Sequence, residues 1–273
     1  MNFGVLHAAR KRAGGANLLA RRALAGRYVA AKRLQQPHGV REGITVATAT
    51  WNSKIFLEGF LMGVRTFGDD RVETLVIDNN STDDTARYLA SQRDVRTVTT
   101  PFNIGHGLAL DLAFAAAKTT HVIVLDVDAF PISPNWIPAV LEPLEAGAVV
   151  AGAYVQRAFI HPSYLAMRRS DFFGLNLTFS PVGLPTPPGG TPRGLFMDVG
   201  EALSQTVAVV HGSKKLHRIP ISSSRGQNLI GSVYGDSVYH NFYSTQGKPA
   251  LVEEAAQMWR HALSQYLPPP AVA

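Results

Sequence analysis

The feature that most restricts the fold is an alternation running from Ile44 to Leu125. Four short apolar, β-branched runs (Ile44 to Thr50, Glu73 to Asp78, Val95 to Thr99 and His121 to Leu125) are separated by segments with helical spacing. Strands that alternate with helices in this way imply a parallel, doubly wound sheet joined by right-handed crossovers. Such sheets bind ligands beyond the carboxyl ends of their strands. The residues leaving the strands there are polar: Thr50 and Asn52, Asp78 and Asn80, Asn103, and Asp126 and Asp128. Four loops that bring polar groups to one edge are stronger evidence for a site than any one of them alone. No Gly-x-Gly-x-x-Gly follows the first strand and no Gly-x-x-x-x-Gly-Lys occurs, which disfavours dinucleotide and P-loop enzymes.

The fourth strand ends in Asp126-Val127-Asp128. In an extended backbone, residues two apart point to the same side. Two neighbouring carboxylates both stay ionised at neutral pH when a cation sits between them. Hard divalent ions such as magnesium or manganese take carboxylate oxygens together with substrate phosphates. Asp-Val-Asp at the mouth of a buried strand therefore suggests a metal that holds a diphosphate.

With 273 residues, of which 46% are hydrophobic and 17% charged, the chain is expected to be globular. It has no cysteine, so thiolate metal sites and cysteine nucleophiles are excluded. No uncharged apolar run approaches the roughly 18 residues that span a bilayer. The net charge of +6 is localised: residues 1–41 hold nine Lys or Arg and no Asp or Glu, leaving −3 on residues 42–273. A nucleic-acid-binding body is not indicated. Asn17 to Leu34 reads as a basic amphipathic helix, open to three roles: contact with an anionic membrane surface, packing on the body with a solvated basic face, or an organellar transit peptide.

After Pro131 the alternation breaks down. Trp136 to Ala146, Ala202 to His211 and Leu251 to Tyr266 read as helices; Ala148 to Val155, Ser163 to Arg168 and His217 to Ile221 read as strands. Pro181 to Pro192 is Pro- and Gly-rich, and Gly226 to Gln246 reads as loop. Ser81 or Thr82 is expected to cap the helix after the second strand.

The chain resembles the large inverting family 2 glycosyltransferases with the GT-A fold. The resemblance covers roughly Ile44 to Ser244. It rests on Ala-Thr-Trp-Asn-Ser after the first strand, Val-Ile-Asp-Asn-Asn-Ser-Thr-Asp-Asp-Thr after the second, Asn-Ile-Gly-His-Gly after the third and Leu-Asp-Val-Asp after the fourth. It implies a nucleoside-diphosphate-sugar donor and a divalent metal, manganese or magnesium. By that similarity Thr50 and Asn52 lie beside the nucleotide, Asp78 accepts a hydrogen bond from the base, Asn80 and Val127 join the donor side, and Asn103 and Gly105 shape the donor loop. Asp126, Asp128 and His240 would form the metal site. Asp198 stands where the family commonly has the Asp of a Glu-Asp pair, but its neighbour here is Met197, and Asp111 stands where the family often has Arg or Asn nearby.

The expectation is a metal-dependent inverting transferase, with Asp198 as general base and Glu201 as the second candidate or an acceptor contact. His106, His121, His161, His211 and His217 are expected to be structural. The acceptor would be a glycan, lipid-linked or small-molecule hydroxyl. The expected organisation is a basic extension (1–42), a catalytic domain (43–246, with a nucleotide-binding half to 130 and an acceptor half from 131) and a C-terminal helix and tail (247–273). The expected location is cytoplasmic, with the extension offering a peripheral contact to the inner face of the membrane. The rivals are a sugar-nucleotidyltransferase, which usually has a Gly-rich, Arg- or Lys-bearing loop after the first strand, and an inactive GT-A binding domain.

Overall fold

The computed structural model describes residues 20–35, 37, 39–155, 159–181, 198–225, 229–242 and 249–268. Its centre is a seven-stranded sheet in the order β3-β2-β1-β4-β7-β6-β8. The strands are β1 (Arg41–Thr50), β2 (Val72–Asp78), β3 (Val95–Thr99), β4 (Thr119–Val124), β6 (Val150–Val155), β7 (Phe159–Arg168) and β8 (Leu216–Ile219). β1 pairs in parallel with β2 and β4, and β2 with β3, while β7 runs antiparallel between β4 and β6. The sheet is thus mostly parallel, as the alternation requires. Registers Thr50↔Asp78 and Asp78↔Thr99 bring three strand ends to one edge.

Both faces of the sheet are covered, so the central strands read as nearly continuous apolar runs. On one face, Ala47, Leu75, Ile77, Val122 and Val124 pack with a helix over residues 20–34 (α1), α4 (His106–Ala116), α6 (Arg169–Gly174) and α7 (Glu201–His211). On the other, Val46, Val76 and Ile123 pack against α2 (Lys54–Phe67) and α5 (Pro138–Glu145). α3 (Thr85–Ser91) precedes β3. No described helix is long and apolar enough to cross a membrane.

A four-stranded antiparallel sheet, β5-β11-β10-β9, stands beyond the end of β4. It comprises β5 (Ala129–Pro131), β9 (Ile221–Ser223), β10 (Ser232–Tyr234) and β11 (Val238–His240). Two expectations fail here. His217 to Ile221 is not one strand: Pro220, which has no N–H to give to a ladder, separates β8 in the large sheet from β9 in the small one. The stretch read as loop from Gly226 contains the β10–β11 hairpin, turned at Gly235 and Asp236, both at positive φ (51° and 53°). The helix expected over Trp136 to Ala146 is α5, which starts two residues later, after a 3-10 turn (Pro134–Trp136). The small sheet is fastened by α8 (Pro249–Tyr266), whose fully buried Trp259 packs edge-on against Phe56 and Phe130. Gly59 on α2 allows this approach, because a Cβ there would lie 2.5 Å from the Trp259 ring.

α1 packs on the body through buried Ala25 and Val29 and partly buried Tyr28. Arg33 donates to Leu177 O at 3.0 Å and lies over the Phe172 ring. Arg21, Arg22, Leu24, Arg27 and Leu34 point outward. Pro181 is the last described residue before most of the Pro- and Gly-rich stretch, which falls outside the described residues.

Candidate active site

A cleft of about 700 Å³ opens at the carboxyl ends of β1 and β4. Thr50, Trp51 and Ser53 reach it from the β1–α2 loop, Asn79 and Asn103 from the loops after β2 and β3, and His106 from the start of α4. Asp126, Val127 and Asp128 line it after β4, and His161, Asp198, His240 and Phe242 close its far side.

The two carboxylates are not carried on an extended strand. β4 ends at Val124, and Asp126 begins a turn closed by Ala129 N donating to Asp126 O at 2.9 Å. The turn then becomes β5, which pairs with β11 so that Ala129 faces His240. Asn241 N donates to Asp128 O at 2.9 Å and fixes the register. His240 Nε2 consequently lies 3.4 Å from Asp128 Oδ1 and 3.7 Å from Asp126 Oδ2. One ligand atom from each of the three residues falls within 4.8 Å of the others. Two carboxylates and an imidazole, with Asp128 and His240 buried, form a donor set that fits a divalent cation.

Two histidines expected to be structural belong to this cluster instead. His106 Nε2 is 3.0 Å from Asp126 Oδ1, and His161 Nδ1 is 3.7 Å from Asp126 Oδ2. Burial pushes the Asp126 carboxyl up, but the His106 hydrogen bond and the charges of His106, His161 and His240 outweigh it and hold Asp126 well below the usual carboxylate range. His106 is raised: burial works against its charged form, and the hydrogen bond to Asp126 with the charges of Asp126, Asp128 and Asp198 prevails. Burial dominates at His161 and lowers it. The local signal for His106 was its place directly after Asn103-Ile104-Gly105, as the first residue of α4; His161 lies on β7, which is next to β4 in the sheet but distant in the chain, and carries no local signal. His121, His211 and His217 lie outside the cleft.

Thr50, Asn103, Val127 and Asp198 line the cleft as expected, but Asn52, Asp78, Asn80, Gly105 and Glu201 do not. Asp78 is buried, with Oδ1 accepting from Ser81 N at 3.0 Å, so it holds the turn after β2. Asn80 is exposed at φ 62°, and the wall position belongs to Asn79. Asn79 is anchored by Ile104 N donating to its Oδ1 at 2.8 Å and by its own Nδ2 donating to Asn103 Oδ1 at 3.0 Å. Asn52, at φ 51°, accepts from Thr82 N at 2.7 Å and ties the first loop to the second. This engages Ser81 and Thr82, and Asp83 rather than either of them accepts from Thr85 N at the start of α3. Gly105, at φ 89°, precedes α4 and donates its N–H to Asn103 Oδ1. Glu201 Oε2 accepts from Asp198 N at 2.9 Å, which makes it a brace for Asp198.

A mostly parallel sheet flanked on both faces thus holds a carboxylate- and histidine-lined cleft beyond its strand ends. The chain matches the glycosyl transferase family 2 model over residues 45–192, more than half its length, and belongs to that family. Among solved structures it is similar to the mannosyltransferase PcManGT from Pyrobaculum calidifontis, in complex with GDP-Man and Mn2+, at 18% identity and TM-score 0.50, covering 81% of this chain and 70% of that one. It is also similar to glucosyl-3-phosphoglycerate synthase from Mycobacterium tuberculosis, in complex with Mn2+ and UDP-glucose, at 19% identity and TM-score 0.50, covering 85% and 82%. At these identities the likeness is one of fold. No curated protein matches the chain.

Proposed function

We propose that this glycosyltransferase moves a sugar from a nucleoside diphosphate to an acceptor hydroxyl of a glycan, lipid-linked or small molecule, with metal assistance and inversion at the anomeric carbon. The observation that carries the reading is the meeting of two sets of groups in one cleft. Asp126, Asp128 and His240 converge on the donor side, and Asp198 faces the cleft from the start of α7. A divalent cation held by that triad would neutralise the diphosphate leaving group. Among the described residues lining the cleft there is no Lys or Arg. The contribution to phosphate charge among the described residues falls to His106 and to the N-terminus of α4, on which it sits. Trp51, 43% exposed in the cleft, offers an indole face for a base to stack on. Asn103 offers a polar group nearby, Thr50 and Asn79 form the wall behind it, and Val127 lines the cleft between the two carboxylates. Asp198 takes the proton from the acceptor hydroxyl as it attacks from the side opposite the leaving group.

The outward side of α1 is read as a peripheral contact for an anionic membrane. Residues 1–41 carry nine basic and no acidic side chains, and Leu24 and Leu34 are 56% and 89% exposed.

The deciding experiment incubates the protein and Mn2+ with a panel of sugar nucleotides and candidate acceptors. It measures released nucleoside diphosphate and the anomeric configuration of the product by NMR. An inverted product supports the reading; a retained configuration refutes the Asp198 mechanism, and no release from any donor refutes the transferase reading of this cleft.

A further inference from the structure

The imidazole of His240 is held from behind as well as in front. Its Nε2 faces the two carboxylates, while its Nδ1 lies 3.4 Å from Tyr234 Oη. Tyr234 stands on β10, the hairpin partner of β11, and is fully buried. Its hydroxyl is in turn 3.4 Å from Ser163 Oγ on β7, also fully buried, and Ser163 Oγ is 2.9 Å from His161 Nδ1. A string of polar groups therefore runs His240–Tyr234–Ser163–His161, bridging the small and large sheets behind the cleft.

The hydroxyl hydrogens of Tyr234 and Ser163 rotate, so the string takes its direction from its ends. At one end, the backbone N–H of Ser163 donates to His161 Nδ1 at 3.1 Å, which makes that nitrogen an acceptor. At the other, a cation can be bound through His240 Nε2 only if that atom presents its lone pair, which puts the ring proton of a neutral imidazole on Nδ1. That proton needs a buried acceptor, and Tyr234 Oη is the group in place. Outer partners of this kind fix both the tautomer and the ring orientation of a ligating histidine.

We propose that Tyr234, backed by Ser163, is a positioning residue that selects the metal-binding tautomer of His240 and so sets the cation affinity of the cleft. This rests on the reading of Asp126, Asp128 and His240 as a metal centre. Tyr234→Phe removes one oxygen and keeps the ring that fills the core. Tyr164→Phe is the control, because it makes the same change at another fully buried tyrosine whose hydroxyl donates to Trp136 O. The measurement is Mn2+ binding to the full-length protein by calorimetry, with and without a nucleoside diphosphate, beside a thermal melt. Tyr234→Phe is expected to weaken Mn2+ binding by about 10- to 100-fold, and Tyr164→Phe to leave it unchanged. Ser163→Ala, which removes the support behind Tyr234, is expected to weaken it by roughly threefold or more, and decides the question if Tyr234→Phe does not fold. If wild type takes up no Mn2+, the metal-centre reading fails. If wild type binds Mn2+ and the folded Tyr234→Phe protein binds it equally well, whatever its melting temperature, the positioning role is overturned while the metal centre stands.

Discussion

His240 Nε2 lies 3.4 Å from Asp128 Oδ1, and backbone pairing holds it there: His240 faces Ala129 across the β5–β11 ladder, and Asn241 N donates to Asp128 O. His240 is thus delivered by β11, and Asp128 by the turn that leads from the end of β4 into β5. Asp128 and His240 are 7% and 3% exposed, so little water competes for the ion they would share.

The metal centre is tested by Asp128→Asn. Wild type is expected to melt at a higher temperature when Mn2+ is added, since a ligand that binds the folded state alone stabilises it by about 2.7 kcal/mol at 100 times its dissociation constant. Asp128→Asn should abolish that rise while folding normally. An unchanged Mn2+ response in the variant would remove Asp128 from the site.

Asp198 and Glu201 make separable predictions. General-base catalysis typically contributes roughly 100- to 10,000-fold, so Asp198→Asn should lower kcat by about that factor with donor affinity little changed. Glu201 touches Asp198 through its backbone N–H, and Glu201→Gln keeps an oxygen that can accept that bond. Its effect on kcat should therefore be about tenfold or less. The reverse order of effects would make Glu201 the base.

Asp111 predicts a pH dependence of stability. Burial pushes its carboxyl up to about 6, against the hydrogen bonds from Thr178 Oγ1 and Phe179 N and the charge of Arg33. The folded state therefore keeps a proton that the unfolded chain loses near the ordinary carboxylate value. The stability this group contributes is full below about pH 4 and is lost as pH rises through about 6, a change of about 3 kcal/mol. In Asp111→Asn the side-chain oxygen still accepts from Phe179 N, and the Thr178 hydroxyl can reverse to accept from the amide. Urea unfolding at pH 4 and pH 7 should show the variant gaining on wild type at the higher pH. Parallel pH profiles for the two proteins would refute a buried, proton-binding Asp111.

The parallel half was legible because covered strands write themselves as apolar, β-branched runs and end in polar loops. Thr50, Asn103, Asp126 and Asp128 follow from that rule directly. The small sheet was not legible by periodicity, since β5, β9, β10 and β11 have three residues each. Its one local signal is Gly235-Asp236-Ser237 between Ser-Val-Tyr and Val-Tyr-His, a short hairpin pattern. Asn79 and Asn80 differ by a single turn residue at positive φ, which decides which amide meets the cleft and leaves no compositional trace. His161 comes to Asp126 only through the β4–β7 pairing of the large sheet, a long-range event.

The outward face of α1 carries the last prediction. Its inward side, Ala25 and Val29, belongs to the core, so deleting the helix would uncover the body as well as remove charge. Surface substitutions isolate the lipid question. Arg21, Arg22 and Arg27 are exposed, and Leu24 stands beside them 56% exposed. Attraction to an anionic leaflet is worth about 1 kcal/mol per basic residue near the surface. Replacing these three arginines by Glu should weaken binding to phosphatidylserine-containing vesicles by about 100-fold or more, since each 1.4 kcal/mol is about tenfold. Leu24→Ser should weaken it further without altering the salt dependence. Turnover of a soluble acceptor should stay at the wild-type level in both, because α1 does not line the cleft. Sedimentation with vesicles at low and physiological salt reads the outcome. Equal sedimentation of wild type and the triple variant would leave α1 as a packing helix with a solvated basic face.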